Sequence, residues 1–193
     1  MSDGLRERKK EETRRTLMYA ALELFAERGY DHVTVEQIAE RANVAPRTFF
    51  RYFESKASAC FGFQADLIDA LEDTADALAT SELQIREYAR RVQEDPQFFE
   101  TQIRLTLEHP QVRVKRLEVL LGFDDAVTRQ FLAETPGVDP VRARLAAYVV
   151  THLIPAVMET WAFAGCPPPG PDWDPALAHM RETVHALLGR EPA

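Results

Sequence analysis

The sequence predicts an all-α protein, and its scarcity of helix breakers is the first reason. The 193 residues include only 8 glycines and 12 prolines, so long stretches are free of both. Those stretches are rich in Ala, Leu, Glu, Arg and Gln, which all favour the helix. Hydrophobic residues make up 46% of the chain and charged residues 28%, which is typical of a folded globular protein rather than a disordered one.

Apolar spacing predicts a first helix from about Lys9 to Arg28. Leu17, Ala21 and Leu24 recur at helical intervals and would form one buried stripe. Gly29 would end the helix, because glycine readily adopts the left-handed conformation that is common just after a helix.

Two short helices joined by a tight turn should follow. Thr34 starts the first with a capping box, in which its hydroxyl accepts from the Gln37 N–H and the Gln37 side chain reaches back to Thr34. That helix should end near Ala42. The next begins at Pro46, a residue that the first helical position tolerates, and ends near Phe53. Two short helices joined by a three-residue turn, directly after a longer helix, describe a helix-turn-helix.

The remainder of the chain is predicted to be helical with fewer breaks. Ser55 can cap a fourth helix, and Pro155 should kink a long one because it removes the N–H that would bond to the Thr151 carbonyl. We divide the chain into a helix-turn-helix domain, residues 1–55, and a larger helical domain, residues 56–193. The helices expected in the larger domain cover residues 56–79, 82–94, 97–108, 112–134, 140–164 and 175–188.

Charge distinguishes the N-terminal part from the rest. The whole chain carries a formal charge of −8, which by itself argues against a nucleic-acid partner. Residues 1–60, however, hold eleven basic and ten acidic side chains, against twelve and twenty-one in the remainder. The basic residues also cluster, between Arg6 and Arg15 and again at Arg47, Arg51 and Lys56. This pattern predicts nucleic-acid binding by the N-terminal part only.

The first of these clusters has two interpretations. The basic side chains from Arg6 to Arg15 could touch phosphates or enter a groove next to the helix-turn-helix. Glu7, Glu11 and Glu12 interleave with them, so a helix end held by i, i+4 salt bridges is an equal alternative.

The most specific pattern is the segment VTVEQIAERANVAPRTFFRYFESK, residues 33–56. It resembles the DNA-binding region of the tetracycline-repressor (TetR) family of regulators, and the resemblance covers about residues 10–60. That family usually has Thr, two aromatic residues, Arg or Lys, an aromatic residue, Phe, any residue, Ser and Lys in succession. The corresponding residues are Thr48, Phe49, Phe50, Arg51, Tyr52, Phe53, Ser55 and Lys56.

The chemistry of these residues agrees with the resemblance. Phe49 and Phe53 are four residues apart and would pack on one face of the helix. Arginine in a major groove can read guanine, and hydroxyl groups can meet phosphates. Thr34 and Lys56 would stand at helix N-termini, which favour a phosphate. The predicted DNA contacts are Thr34, Arg47, Thr48, Phe50, Arg51, Tyr52 and Lys56.

Two positions depart from the family pattern. Ala45 stands where the family usually has a serine cap, and Phe50 stands where tyrosine is common. One cap and one phosphate-binding hydroxyl are therefore absent, and Phe50 could contact a thymine methyl group instead. The competing interpretation of the whole segment is an ordinary three-helix cluster with solvated arginines.

Residues 145–165 are apolar almost all round, which predicts burial on every side. A membrane span is one interpretation, but interrupting residues and the lack of a basic flank argue against it. The interrupting residues are Thr151, His152, Pro155, Glu159 and Thr160. In a soluble protein the core would lie on one side of this helix and a partner on the other.

The last helix offers an apolar stripe of its own. It is formed by Leu177, Met180, Val184, Leu187 and Leu188. The resemblance implies that the last two helices of each subunit form a four-helix homodimer interface, so that two recognition helices can read a palindrome. The alternative is that the last helix only closes the core of its own monomer.

The resemblance further implies a small-molecule pocket in the larger domain. The candidate ligand contacts are Phe63, Phe99, Phe123, Tyr148, His152 and Trp161. Ordinary core packing is the competing interpretation for each, because aromatic residues dominate any core. The RTFFRYF run behind an Arg-Lys-Lys arm is similar to a subgroup with acyl-CoA-like ligands, so the expected effector is hydrophobic or acyl-CoA-like.

Catalytic motifs are absent from the sequence, which has no nucleophile elbow, phosphate loop, HExxH or paired Cys/His set. We therefore expect no enzyme activity, no cofactor and no metal. Cys60 and Cys166 have no CxxC partner and are expected to be reduced, buried thiols. The N-terminal residues lack the apolar segment of a secretory signal, which predicts a cytoplasmic protein.

These observations together predict a ligand-responsive transcriptional regulator, most simply a repressor, that binds a palindromic double-stranded DNA operator as a homodimer. The alternative is a helical small-molecule-binding or interaction protein that binds no operator.

Overall fold

The computed structural model describes residues 2–62, 74–168 and 170–190 of the chain. Within these residues all regular structure is helical, which confirms the predicted all-α class. Short 3-10 turns lie at Tyr30–His32 and Ser58–Phe61. The α-helices are α1 (Ser2–Arg28), α2 (Val35–Arg41), α3 (Pro46–Tyr52), α4 (Ala77–Glu94), α5 (Pro96–Glu108), α6 (Pro110–Glu134), α7 (Pro140–Thr151), α8 (Leu153–Phe163) and α9 (Asp174–Leu188).

The chain divides into two compact units. The first comprises residues 1–64 and 97–116, and the second residues 65–96 and 117–193. The first unit therefore contains the helix-turn-helix (α1 to α3, here called the head), α5 and the start of α6. The sequence predicts that one domain ends at residue 55 and that the next begins at residue 56. In the structure the first unit also includes α5, which follows much later in the chain.

The first unit is packed around the C-terminal half of α1. Leu17 and Leu24 of α1, Ile38 of α2 and Phe49 of α3 are each at most 1% exposed. Burial of apolar side chains is the main source of folding free energy, so these residues hold the three helices of the head together.

Helix α5 joins the head through one aromatic and one polar contact. The rings of Phe98 and Tyr19 lie with centroids 4.5 Å apart, and the Gln102 amide donates to the Cys60 carbonyl. Gln102 is 6% exposed, and a buried amide is stable only when it is hydrogen-bonded. These long-range contacts explain why α5 belongs to the first unit.

The second unit is built on the packing of α7 against α9. Ala143, Ala146 and Ala147 of α7 are fully buried, and such small side chains let two helices approach closely. On α9 the residues at most 4% exposed are Leu177, Met180, Val184 and Leu188. This corrects the predicted dimer stripe on the last helix. Four of its five residues are buried in the core of their own protomer, and Leu187 is half-buried.

The long helix predicted at residues 140–164 is broken into two. α7 ends at Thr151 and α8 begins at Leu153, and the pair bends by 41°. Pro155 has no N–H to give to the Thr151 carbonyl, which confirms the predicted kink and its cause. At the break the Thr151 hydroxyl donates to the buried carboxylate of Asp124.

The helix predicted at residues 56–79 differs from the structure at both described ends. The N-terminal end is a 3-10 turn, Ser58–Phe61, and α4 begins only at Ala77. Residues 63–73, which separate them, lie outside the described part of the chain. Ser55 Oγ accepts from the Ser58 N–H at 3.2 Å, but the N-cap of the 3-10 turn is Ala57, which has no side-chain cap, so Ser55 does not cap a helix as predicted.

Helix length and apolarity bear on the membrane-span interpretation. In the described ranges no single helix is both long and apolar enough to cross a membrane. The bent pair of α7 and α8 reaches that length and composition only when both helices are counted together.

Both cysteines are free thiols, as expected from their spacing. Cys60 is buried, and burial raises the pKa of its thiol to about 12. Cys166 is only half-buried, so the expectation of burial is wrong for this residue.

Capping of α7 offers a direct test of the fold. Asp139 Oδ1 accepts from the backbone N–H groups of Val141 at 2.9 Å and Arg142 at 3.1 Å. Asp139→Ala should lower the free energy of unfolding by about 1 kcal/mol because both N–H groups lose their acceptor, whereas Asp139→Ser should retain most of it. Urea unfolding followed by circular dichroism measures both variants. An equal loss in the two would contradict the capping role.

Candidate nucleic-acid interface

The turn of residues 42–45 joins α2 to α3. Asn43 adopts φ 54°, a left-handed conformation that asparagine tolerates better than most residues. The Val44 N–H then donates to the Ala39 carbonyl at 2.9 Å, which satisfies the end of α2. Ala45 provides no side-chain cap, as predicted, and Pro46 starts α3 where no N–H is needed.

The start of α2 has the predicted capping box. Thr34 Oγ1 accepts from the Gln37 N–H at 3.3 Å, and the Thr34 N–H donates to Gln37 Oε1 at 3.0 Å. The Thr34 side chain is exposed, and its hydroxyl hydrogen can still be donated outward. The capping prediction is confirmed, and Thr34 stands at the surface of the head.

Helix α3 has one buried and one exposed face. Phe49 is fully buried and Phe53 is 5% exposed, with ring centroids 5.5 Å apart. The exposed face carries Arg47, Arg51 and Phe50, and the Phe50 side chain is 58% exposed. This arrangement follows from helical spacing, because residues four apart share a face.

Two neighbouring side chains on α3 hold each other in place. Arg51 donates to the Tyr52 hydroxyl at 3.0 Å, and its guanidinium carbon lies 5.0 Å from the Tyr52 ring centroid. Thr48 and Tyr52 are half-buried. The surface of α3 therefore combines two guanidinium groups, two hydroxyls and one phenyl ring, which are five of the seven predicted DNA contacts.

Lys56 is engaged differently from the prediction. Its ammonium donates to the carbonyls of Tyr30 at 2.6 Å and Val33 at 3.2 Å, and lies 4.2 Å from the Tyr30 ring centroid. Burial lowers the pKa of Lys56 and raises the pKa of Tyr30 to about 12. The Lys56 side chain thus ties the segment after α3 to the connection between α1 and α2.

The sequence pattern does not reveal the ion pairs between α1 and α2. Arg41 donates to both carboxylate oxygens of Glu27, at 3.1 and 2.7 Å, and to Glu23 at 3.2 Å. The hydrogen bonds from Arg41 to the Glu27 carboxylate hold the pKa of Glu27 below its usual range. Two acids one turn apart on α1 are visible in the sequence, but their partner on another helix is not.

A second unpredicted set of contacts joins the α5–α6 corner to the head. His109 packs on Tyr30 with ring centroids 4.8 Å apart, and its Nδ1 lies 3.9 Å from Asp31 Oδ2. Lys115 of α6 forms an ion pair with Glu54, directly after α3. Both ends of the helix-turn-helix are therefore held by residues that follow much later in the chain.

Of the five predicted ligand contacts that lie in the described residues, two line the same groove. Tyr148 and His152 line a groove of about 670 Å³ in the second unit. Phe99 is buried in the first unit, and Trp161 is 5% exposed and donates to the Pro167 carbonyl. Phe123 is half-buried in the second unit, and Phe63 lies outside the described residues. The other groove-lining residues are Leu121, Asp124, Leu145, Val149 and Leu187.

Metal ligation requires several donor side chains at one point. Within residues 2–62, 74–168 and 170–190 no three His, Cys, Asp or Glu side chains come together as a metal ion requires.

Comparison with known proteins identifies the head. The family model described as bacterial regulatory proteins, tetR family, matches residues 17–58. The HTH-type transcriptional regulator TcmR of Streptomyces glaucescens is 62% identical over 53 residues, which are 28% of this chain and 24% of that protein. Alignments with the curated relatives span between 24% and 62% of the relatives' own lengths.

Two solved structures share the fold over most of the chain. FadR of Bacillus subtilis, solved with stearoyl-CoA, is 23% identical with a TM-score of 0.54, over 90% of this chain and 96% of that one. NalD, the secondary repressor of the MexAB-OprM multidrug efflux pump in Pseudomonas aeruginosa, is 20% identical with a TM-score of 0.53, over 92% and 96%. The match over residues 17–58 agrees with the resemblance carried by residues 33–56, and this part of the chain is similar to the bacterial regulatory proteins of the tetR family.

Proposed function

We propose that the chain is a sequence-specific DNA-binding regulator, and not an enzyme, that acts in the cytoplasm as a homodimer on a palindromic operator. The observation that carries the proposal is the exposed face of α3. Phe49 and Phe53 anchor this helix in the core, and its arginines and Phe50 point away from the core. A helix of this kind fits the major groove of DNA, where base edges are accessible.

The side chains of α3 divide between base reading and backbone contact. Arg47 and Arg51 can donate to guanine N7 and O6, and the exposed phenyl of Phe50 suits a thymine methyl group. The hydroxyls of Thr48 and Tyr52 are hydrogen-bond donors that suit phosphates. Thr34, at the start of α2, adds a further phosphate donor outside the recognition helix.

The homodimer is proposed to form through large apolar side chains that the second unit leaves exposed. These side chains, here called the outer apolar face, are Leu117, Leu121, Val141, Leu145 and Tyr148, each at least 38% exposed. Exposed apolar patches of this kind mark interaction sites, because covering them releases structured water. A second copy bound there by a two-fold axis would present two heads to a palindrome.

The proposed effector is hydrophobic, such as an acyl-CoA-like ligand, and releases the repressor from its operator. The fold likeness to FadR, which was solved with stearoyl-CoA, supports this ligand class. Release requires the ligand to bind the DNA-incompetent arrangement of the dimer more tightly. A preference of about 100-fold corresponds to roughly 2.7 kcal/mol of coupling free energy. Phe123, Tyr148, His152 and Trp161 are retained as candidate contacts, because all four belong to the second unit.

Operator binding can be tested with duplexes that the wild-type protein selects from a random DNA pool. In fluorescence anisotropy we expect binding to the selected duplex about 1,000-fold tighter than to its shuffled sequence. Arg47→Ala should cost about 1 to 3 kcal/mol of binding and relax the preference at one base position. Arg86→Ala, which removes an exposed arginine of α4, should change neither property.

Wild-type protein that binds selected and shuffled duplexes equally would contradict the proposal. That result would favour the alternative, a helical small-molecule-binding protein without an operator.

The carbonyl contacts of Lys56 give a separate prediction. Lys56→Ala should lower the free energy of unfolding by about 1 to 2 kcal/mol, because two carbonyls lose a charged donor. The slope of log binding constant against log salt concentration should stay unchanged, whereas removal of a phosphate-binding charge would flatten it by about 0.9. Urea unfolding and anisotropy over a salt series measure the two quantities. A flatter slope at unchanged stability would restore Lys56 as a phosphate contact.

The outer apolar face can be tested by placing a charge on it. Leu145→Glu should convert the dimer into monomers and weaken operator binding by about 100-fold, because two linked heads bind far more tightly than one. Leu83→Glu is the control, since Leu83 is also exposed but lies on α4, outside this face. Size-exclusion chromatography with light scattering measures the mass. A Leu145→Glu variant that stays dimeric would assign the interface to another surface.

A further inference from the structure

The groove in the second unit places an acidic side chain beside an apolar surface. Its volume of about 670 Å³ lies within the range of sites that bind small organic molecules. The apolar part of its lining consists of Leu121, Leu145, Tyr148, Val149 and Leu187. Asp124 also lines the groove, although it is only 2% exposed. A buried carboxylate is costly unless hydrogen bonds or an opposite charge replace its lost hydration.

The contacts of Asp124 satisfy one of its two carboxylate oxygens. The Thr151 hydroxyl donates to Oδ1, and His152 Nδ1 lies 3.0 Å from that hydroxyl, which can accept from it. His152 Nδ1 is 3.8 Å from the same Oδ1, which is too long for a hydrogen bond. No residue in the described part of the chain donates a hydrogen bond to Oδ2. This oxygen can therefore accept from a molecule bound in the groove.

The arginine next to the groove is paired with a different acid. Arg144 lies over the Tyr148 ring, with its guanidinium carbon 5.3 Å from the ring centroid. It donates to Asp125 at 2.6 Å and to the Tyr148 hydroxyl at 3.1 Å. The Asp125 side chain is 58% exposed and lies outside the lining of the groove. Asp124 is therefore the acid that a ligand in the groove would meet.

We propose that the groove binds a small amphiphilic amine. Its apolar part lies on the leucines and Tyr148, and its ammonium group donates to Asp124 Oδ2. An ammonium supplies both a positive charge and a hydrogen bond to this oxygen, and charge-assisted hydrogen bonds are stronger than neutral ones. A neutral head group supplies less, and a phosphate or carboxylate head group is repelled by Asp124. The ligand thus differs in charge from the acyl-CoA-like effector considered above, and its site does not depend on operator binding.

The amine and a second copy of the chain would compete for the same side chains. Leu121, Leu145 and Tyr148 line the groove and also belong to the outer apolar face. A ligand that lies on them covers apolar surface that the homodimer would otherwise bury, so it stabilises the separate protomers. Only this second step rests on the proposed function, because it requires the homodimer to form through the outer apolar face.

Three probes with the same ten-carbon chain separate the effect of the head group from that of the tail: decylamine, 1-decanol and decanoate. Isothermal titration calorimetry of the whole chain measures their affinities, with each probe kept below the concentration at which it forms micelles. We expect decylamine to bind about tenfold more tightly than 1-decanol, because only the ammonium brings a positive charge to Asp124. Decanoate should bind most weakly, because two carboxylates repel each other.

Two matched variants identify the carboxylate responsible. Asp124→Asn keeps the shape and an oxygen that can accept from the Thr151 hydroxyl, but it removes the charge, so decylamine should lose its advantage over 1-decanol. Asp125→Asn removes the neighbouring exposed charge and should retain that advantage. Leu121→Trp covers the case in which Asp124→Asn does not fold. Leu121 is 57% exposed, so a larger ring is tolerated there, and by occupying the groove it should weaken the binding of decylamine and 1-decanol by about tenfold.

Loss of the decylamine advantage in Asp124→Asn alone would support the site. The whole chain carries a formal charge of −8, so a cation held only by overall charge would lose the same affinity in both asparagine variants. That result would overturn the proposal, and so would equal binding of decylamine and 1-decanol to wild-type protein.

Light scattering tests the competition with the second copy. Saturating decylamine should convert wild-type dimers into monomers, and dimers that persist with the amine bound would overturn this step. Failure of the proposed function gives a different result. A chain that is monomeric without ligand, or that binds selected and shuffled duplexes alike, would contradict the proposed function. The affinities of the three probes for wild type and for the asparagine variants would still test the groove.

Discussion

Burial of Phe49 is the constraint on which the proposed DNA-binding surface depends. Helix α3 has only seven residues, and an isolated helix of that length is not stable in water. Its conformation comes instead from packing, in which a fully buried phenyl ring contributes about 1.5 to 3 kcal/mol. Rotation of α3 would require Phe49 and Phe53 to leave the core. The burial of Phe49 and Phe53 on one face of α3 therefore determines that Arg47 and Arg51 face outward.

The basic side chains of the head divide into an internal and an external group. Arg41 donates to Glu23 and Glu27, and Lys56 donates to two backbone carbonyls. Neither charged group belongs to the exposed face of α3. Two of the acidic residues in the head, Glu23 and Glu27, are paired with Arg41 between α1 and α2. These contacts engage two basic and two acidic side chains, so they leave the charge balance of residues 1–60 unchanged. A positive potential at α3 comes from Arg47 and Arg51 on its exposed face, because local arrangement governs the approach of an anionic partner.

The features that sequence predicts well are those that depend on nearby residues. The Thr34–Gln37 capping box, the start of α3 at Pro46 and the break caused by Pro155 each involve residues within four positions of one another. The partners of Lys56 lie 26 and 23 residues earlier in the chain, and Gln102 reaches a carbonyl 42 residues away. Pattern alone places Lys56 at a helix N-terminus, but carbonyls brought close by folding compete successfully for its ammonium.

The proposed dimer face shows why apolar spacing on its own is an incomplete guide. Helices α7 and α9 both carry apolar stripes, yet the α9 stripe is buried in the protomer while Val141 and Leu145 of α7 are exposed. Side-chain size separates the two faces of α7. Its alanines permit close packing against α9, whereas its larger side chains would hold that helix away. Val141 and Leu145 are left exposed, at a cost of about 25 cal/mol for each Å² of apolar surface that water covers. In the proposed homodimer a second copy of the same face would remove that cost for both chains and would supply the two-fold symmetry of a palindrome.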